Sequence, residues 1–503
     1  MPKQLTDQRV ILQTSERISF VQCLFSFRQI LCLFLFFSLQ NVQSQNIKIT
    51  KYLQKIDTSS ALKQASWGFC LLSGKTGRQI AAINSSKSLV PASVQKVMTT
   101  SAALAILGDT FRFKTQIYYN GKLENGVLTG DLIIKGFGNP VLGSQKGSKQ
   151  NADQLMQELS NQVKRKGIRQ VNGRLCADVS YFEYEPIPSF WTWYDIGNYY
   201  APQIGALNLG ENQYELWFTP GKKAGDSTKF VRTIPEIEGL KVVNHTITAM
   251  GGGDQTYIPG PPRSFEKHIY GKMPAGESFK VKGAIPQPEL FFLNTFKKAL
   301  KNNGIEQSGA IFISYSQLTT QNSQLIYTHY SQPLSQICQY ANYTSNNLAA
   351  ECLLRTLGAE KRKEGSTQAG LEVVQEFIKV RVGKISGLKQ VDGSGLSKYN
   401  LINANQLATY LYSISKENWS KCFINTLPTS GTNGTLERFC DGANTSGKVF
   451  AKSGSMDRIK CYAGYVKDKQ GTLNPFAILV NNHDVPNREI VNVIEGLMEL
   501  CVE

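Results

Sequence analysis

The sequence predicts an α/β (α+β) protein: one antiparallel sheet, built from both ends of the chain and carrying helices, is interrupted by a long β-rich insertion. Three observations predict it. β-like runs occur early, at 66–83, and again late, at 448–482. Helical periodicity is concentrated at 288–303, 334–341, 346–357, 366–380 and 404–416. From about 165 to 285 the chain is instead rich in Gly, Pro, aromatics and short β-like runs. At 503 residues it is also too long for one ordinary core, so two or three domains are expected. No solenoid-type repeat is visible.

Taken in order, residues 1–44 read as a secretory leader. The apolar run "ILCLFLFF" follows Arg28, and "VQSQ" offers short residues where a signal peptidase cuts, near Ser44. The run is shorter than the ~20 residues a spanning helix needs. "SWGFCLL-SGKTG-RQIAAI" then predicts a β-hairpin. A helix follows it, within "PASVQKVMTTSAALAIL" (91–107). From Phe113 to about Lys135 strands are expected, with turns at Asn120-Gly121 and Asn125-Gly126. A helix is expected over 152–165. Three strands at 448–454, 461–468 and 475–482, and a final helix in "NREIVNVIEGLMELC", close the chain. Two early strands and three late ones would complete one antiparallel sheet.

The formal charge is +17, spread along the chain with only short basic runs such as "KRK" at 361–363. No nucleic-acid module is visible, so no nucleic-acid partner is expected. An anionic envelope surface, with peripheral membrane contact, suits an exported basic chain better. The four histidines (His245, His268, His329, His483) have no metal-ligand spacing, and no C-x-x-C occurs. No metal or other cofactor is expected. Export would permit disulfides. Cys422 and Cys440 are the nearest pair bracketing a loop, and buried free thiols are an equal alternative.

Three short stretches carry chemistry. Ser93 and Lys96 stand one helical turn apart at the start of the 91–107 helix, amid small and apolar residues. The pattern S-x-x-K recurs at Ser60/Lys63, Ser264/Lys267, Ser386/Lys389 and Ser413/Lys416, and Ser93 would also make a good helix N-cap. The pair is therefore either a cap beside a stray lysine or a nucleophile beside its base. The nearly charge-free segment after Lys96 favours burial, which would lower the lysine pKa. "TSNNLAAECLLR" places Ser345 and Asn347 at the start of a helix, and "AKSGSMD" places Lys452, Ser453, Gly454 and Ser455 on a strand. Alone, these are ordinary capping and turn chemistry.

In this order, S-x-x-K, S-x-N and K-[ST]-G resemble the signature of penicillin-interacting serine acyltransferases. The chain resembles the D-alanyl-D-alanine carboxypeptidase/endopeptidases of the penicillin-binding protein 4 kind, the low-molecular-mass class C group, over nearly all of its mature length. The long gap between Ser93 and Ser345 fits that group, as do "GDLIIKGFGNPVL" (130–142), "GRLCADVSYFE", "WTWYDIGNYYAPQIGALNLGENQ", "DGSGLSKYNLI" (392–402) and "LPTSGTNGTLERF" (427–439). The departures are Asn346 in the middle of S-x-N, K-S-G-S for K-T-G-T, and Lys398 where Arg is frequent.

The resemblance implies a penicillin-binding, transpeptidase-like domain: a five-stranded antiparallel sheet with helices on both faces, in two parts at 45–113 and 321–503. Inserted domains would occupy 114–320, the outer one at about 138–212. It implies cleavage of peptidoglycan stem peptides or cross-links through a Ser93 acyl-enzyme, with β-lactams as covalent inhibitors. Lys96 would be the base, and Lys452 a second cation opposing its protonation. Ser345 would relay a proton to the leaving amine, and Asn347 would hold the substrate amide. The N–H groups of Ser93 and Met456 would form the oxyanion hole. Lys452, Ser453 and Ser455, around Gly454, would receive the terminal carboxylate, and Asp178 and Lys398 would hold the diamino-acid side chain. The alternatives are a serine β-lactamase, disfavoured by the long insertion and the lack of an obvious deacylation glutamate motif, and a non-catalytic peptidoglycan-binding envelope protein, disfavoured by the intact polar set.

Overall fold

The structure, a computed structural model, describes residues 46–503. The expected leader and its cleavage point lie outside the described residues. The five expected strands form one sheet in the order Val449–Met456, Ile459–Lys467, Leu473–Asn481, Ser66–Leu72, Gln79–Ile83, every neighbour antiparallel. Its central strands are apolar almost throughout, because both faces are covered. Cys70 and Leu72 point into one core, while Phe69 and Leu71 point into the other. The first core lies under the helices Lys96–Leu107, Leu334–Thr344, Asn347–Arg362, Thr367–Val382 and Ala404–Ser415. The second lies under Asn487–Val502 and a helix at 46–57.

The Lys96 helix runs through the middle of the first core and is buried on every side over its first nine residues. That explains its lack of an apolar stripe: a helix surrounded by protein has no solvent face to pattern. Its polar side chains are satisfied internally. Thr99 Oγ1 donates to the Gly393 carbonyl (2.7 Å), and Ser101 pairs with the Tyr410 hydroxyl (2.6 Å).

The intervening segment builds a seven-stranded mixed sheet around the hairpin Lys114–Glu124/Val127–Gly136. The helices Ala152–Arg165 and Pro288–Asn302 pack on it. The strand Gln324–Tyr330 pairs with Lys114–Glu124, so this sheet reaches past residue 320. Two expectations need correction here, and one open alternative is resolved. Asn120-Gly121 is not a turn. It lies inside the strand, where Gly121 faces Gly130 and a Cβ on Gly121 would sit 2.3 Å from the Thr129 carbonyl. The chain reverses at Asn125-Gly126, where both φ angles are positive (50° and 86°).

The segment 138–212 forms no separate outer unit. Its apolar residues, among them Leu142, Phe182, Trp191 and Leu207, join the core of the seven-stranded sheet. The distinct small core belongs to Tyr214, Phe218, Ile269 and Val281, under the three- and four-stranded sheets that follow. Finally, Cys422 and Cys440 are unbridged: Cys422 packs against the first core and Cys440 lies in the second, on the opposite side of the sheet. Among the described residues no helix is long and apolar enough to cross a membrane.

Candidate active site

Ser93 does not cap a helix. It sits inside a 3-10 turn, Ala92–Gln95, that leads into the Lys96 helix, and neither segment has a side-chain N-cap bond. Ala92 has a positive φ of 48°, so the chain enters this turn in a left-handed conformation that few non-glycine residues adopt. The turn leaves Ser93 partly exposed while Ala92, Val94 and Gln95 are buried.

Lys96 is fully buried, and its amine makes three hydrogen bonds. It meets Ser93 Oγ at 3.0 Å, Asn347 Oδ1 at 2.6 Å and the Ser394 carbonyl at 2.7 Å. Two of these partners are acceptors only. The Asn347 amide is oriented by its own Nδ2, which donates to the Tyr200 carbonyl at 2.7 Å and so turns Oδ1 towards Lys96. Two N–H groups are thus committed, and the third position of the nitrogen faces Ser93. In the neutral amine that position is a lone pair. Burial favours the neutral form, lowering Lys96 to about 7, with Asp392 and Glu351 opposing the fall. Of the S-x-x-K pairs, only this one joins its two side chains by a hydrogen bond among the described residues.

The Lys452 strand passes directly against Ser93. A Cβ on Gly454 would lie 2.6 Å from the Pro91 carbonyl and 3.1 Å from the Ser93 nitrogen, so only glycine lets the strand this close. Lys452 is also fully buried, with Nζ on the Ser453 carbonyl at 2.7 Å. Burial, then the nearby Lys96 and Lys460, push it well below the ordinary lysine value. Ser453 Oγ donates to Thr435 Oγ1 at 2.8 Å, while Ser455 is exposed and Met456 ends the strand half-buried.

Ser345 occupies a left-handed junction (φ 57°) between two helices. Asn346 caps the second of them through the Ala349 N–H (2.8 Å) and donates to Glu211 (2.8 Å). Ser345 and Asn347 stand in the wall of a chamber of about 770 Å³, shared with Tyr199, Tyr200 and Tyr214 of the insertion.

The remaining two predicted residues behave differently. Lys398 is exposed. Asp178 is completely buried at the end of the strand Leu175–Asp178. Its oxygens are taken by Ser180 (Oγ at 2.6 Å), the Leu318 N–H (3.0 Å) and Lys135 (3.4 Å). The expectation that Asp178 holds a substrate side chain is corrected: this carboxylate offers no accessible face.

Several groups at the site had no place in the sequence reading. Glu351 did leave a signal, as an acid four residues after Asn347 and four before Arg355 in a helix whose first turns are otherwise mostly apolar. Thr435 lay within a quoted stretch but was given no role. The Ser394 and Tyr200 carbonyls are backbone groups, which no side-chain pattern announces.

Comparison with known proteins identifies the family and the fold. The family described as "D-Ala-D-Ala carboxypeptidase 3 (S13) family" matches residues 46–500. The D-alanyl-D-alanine carboxypeptidase of Actinomadura sp. (strain R39) is 27% identical over 456 residues, covering 87% of this chain and 82% of its own. The D-alanyl-D-alanine carboxypeptidase DacB of Haemophilus influenzae is 26% identical over 460 residues, covering 88% and 90%. The crystal structure of penicillin binding protein 4 (dacB) from Haemophilus influenzae shares the fold, with a TM-score of 0.76 at 23% identity over 88% of this chain and 96% of that one. With the family pattern running through nearly every described residue, the chain belongs to the D-Ala-D-Ala carboxypeptidase 3 (S13) family.

Proposed function

We propose that the protein is a serine-type D-Ala-D-Ala carboxypeptidase and/or endopeptidase that cleaves peptidoglycan stem peptides through an acyl-enzyme on Ser93. The observation that carries this is the Lys96 amine, fixed by two acceptors so that its remaining position meets Ser93 Oγ. In the neutral form Lys96 takes the Ser93 proton as the oxygen attacks the penultimate D-Ala carbonyl. The N–H groups of Ser93 and Met456 stabilise the developing oxyanion, a role supported by the close approach at Gly454. Ser345 passes a proton to the leaving amine, and Asn347 orients the substrate amide.

Lys452, Ser453 and Ser455 receive the terminal carboxylate, and Lys398 remains available to an acidic group on the stem. The stem peptide lies along the 452–456 edge as an added strand. Water then hydrolyses the ester and frees Ser93. A β-lactam acylates the same serine and stalls. A related solved structure, that of the Haemophilus influenzae protein, is itself complexed with a β-lactam.

In this reading segments 45–113 and 321–503 form the catalytic unit, 114–320 is the insertion, and the exported chain works at the cell envelope. The test is release of D-Ala from D-Ala-D-Ala stem peptides by protein recovered from the envelope fraction. Activity there that disappears in Ser93→Ala is expected. Release that persists in the folded Ser93→Ala variant would overturn the assignment.

A further inference from the structure

Glu351 is completely buried on the helix that carries Asn347. A carboxylate in such a place must be held by hydrogen bonds or by charge. Its two oxygens accept the Gly393 N–H at 3.1 and 3.0 Å, and Oε1 also accepts the Ser394 N–H at 2.8 Å. Ser394 in turn presents its carbonyl to Lys96 Nζ at 2.7 Å. One residue therefore links the two groups, its N–H on Glu351 and its carbonyl on Lys96. The turn is pinned elsewhere as well. Thr99 Oγ1 holds the Gly393 carbonyl (2.7 Å), and Asp392 accepts from the Gly395 and Ser397 N–H groups (2.7 and 2.8 Å) and from Asn400 Nδ2 (2.8 Å).

We infer that Glu351 is a positioning residue for acylation: it clamps the 393–394 turn so that the Ser394 carbonyl aims the Lys96 amine at Ser93, and it sets a negative charge beside that amine. The inference rests on the reading of Lys96 as the base. Among the described residues the Ser394 carbonyl is one of the two acceptors besides Ser93 that fix the nitrogen's direction, the other being Asn347 Oδ1 on Glu351's own helix. A turn that drifted would leave the lone pair free to rotate away from Ser93.

The charges that face this pair come from several elements. Lys96 faces Glu351 and Asp392, which support its protonated form. Lys452 faces Lys96 from the strand, with Lys460 near Lys452. Burial, then Asp392, pushes Glu351 up to about 7, while the hydrogen bonds from the 393–394 turn and the Arg355 charge oppose the rise, so its charge is present from about the pH at which Lys96 gives up its proton. The neighbouring Cys352 thiol is pushed up by burial and stays neutral. The sign follows. Removing the Glu351 charge leaves the Lys96 ammonium less supported, so Lys96 gives up its proton at lower pH. The neutral base is then present at lower pH.

The experiment measures the second-order rate of acylation by a fluorescent penicillin against pH, for the wild type, Glu351→Gln and Glu351→Asp. Glu351→Gln is expected to move the rising limb to lower pH by roughly one unit and to lower the plateau. Glu351→Asp, which keeps the charge on a shorter arm, should leave the limb in place and lower the plateau about tenfold or more. A Glu351→Gln profile with its limb at the wild-type position would overturn the inference. Should that variant fail to fold, Glu351→Asp decides alone: an unchanged plateau or a displaced limb overturns it. Lys96→Ala separates this from the underlying reading. If Lys96→Ala acylates normally, both fail. If it is inactive while the Glu351 profiles match the wild type, only the role of Glu351 fails.

Discussion

Lys96 and Lys452 are both buried lysines, yet their surroundings assign them different work. Lys96 touches Ser93 directly, whereas Lys452 has its nitrogen on a backbone carbonyl and its charge opposed by Lys96. Lys96→Ala should lose acylation of every substrate by about 10²–10⁴, the usual worth of a general base. Lys452→Ala should penalise a D-Ala-D-Ala carboxylate more than its methyl ester, because one ionic contact disappears. The comparison is kcat/KM for the two substrates in each variant. Equal losses for both in Lys452→Ala would remove its carboxylate role, and near-normal acylation in Lys96→Ala would remove the base. In the wild type the rate should climb with pH through about 7, as the lysine, lowered by burial, gives up its proton. The identity of this pair was legible in the sequence because S-x-N and K-S-G follow it in order; the S-x-x-K spacing alone recurs at four other places. The reason it works was less legible: two of the groups that aim the amine, the Ser394 and Tyr200 carbonyls, carry no residue signature.

At the scale of elements, the site is a meeting of one turn, one helix start and one strand. The strand's approach is set by Gly454, whose missing side chain lets it lie against the Pro91–Ser93 turn. Gly454→Ala should push the strand away from the Ser93 N–H and reduce acylation by about 10²–10³, the range seen when one oxyanion donor is displaced. Circular dichroism and the rate of penicillin labelling check it together: an unaltered fold with a wild-type rate would contradict the account. The five strands were legible because the β-like runs at both chain ends are apolar and short. Asn120-Gly121 was misread because Asn-Gly is a strong hairpin signal. Here Gly121 faces Gly130 across the pair, which lets the strand continue, and the reversal falls to Asn125-Gly126.

At the scale of the whole molecule, the insertion is part of the site's construction. Tyr200 orients Asn347, Glu211 braces Asn346, and Trp191 donates its indole N–H to Asp392 at 3.0 Å, beneath the turn that holds Lys96. Long-range contacts such as these follow from topology: all three residues lie in the stretch 191–213 that resembles the family, but nothing in that stretch shows what they touch. The same cause misplaced the outer unit: residues 138–212 pack into the seven-stranded sheet, and the separate small core begins only at Tyr214. All of these contacts converge on Ser93. The most direct test of that convergence is the intact mass of the folded protein after treatment with a penicillin, followed by peptide mapping of the adduct. The account predicts one penicilloyl group per chain, on the peptide containing Ser93. An adduct on any other residue, or none on folded protein, would contradict it.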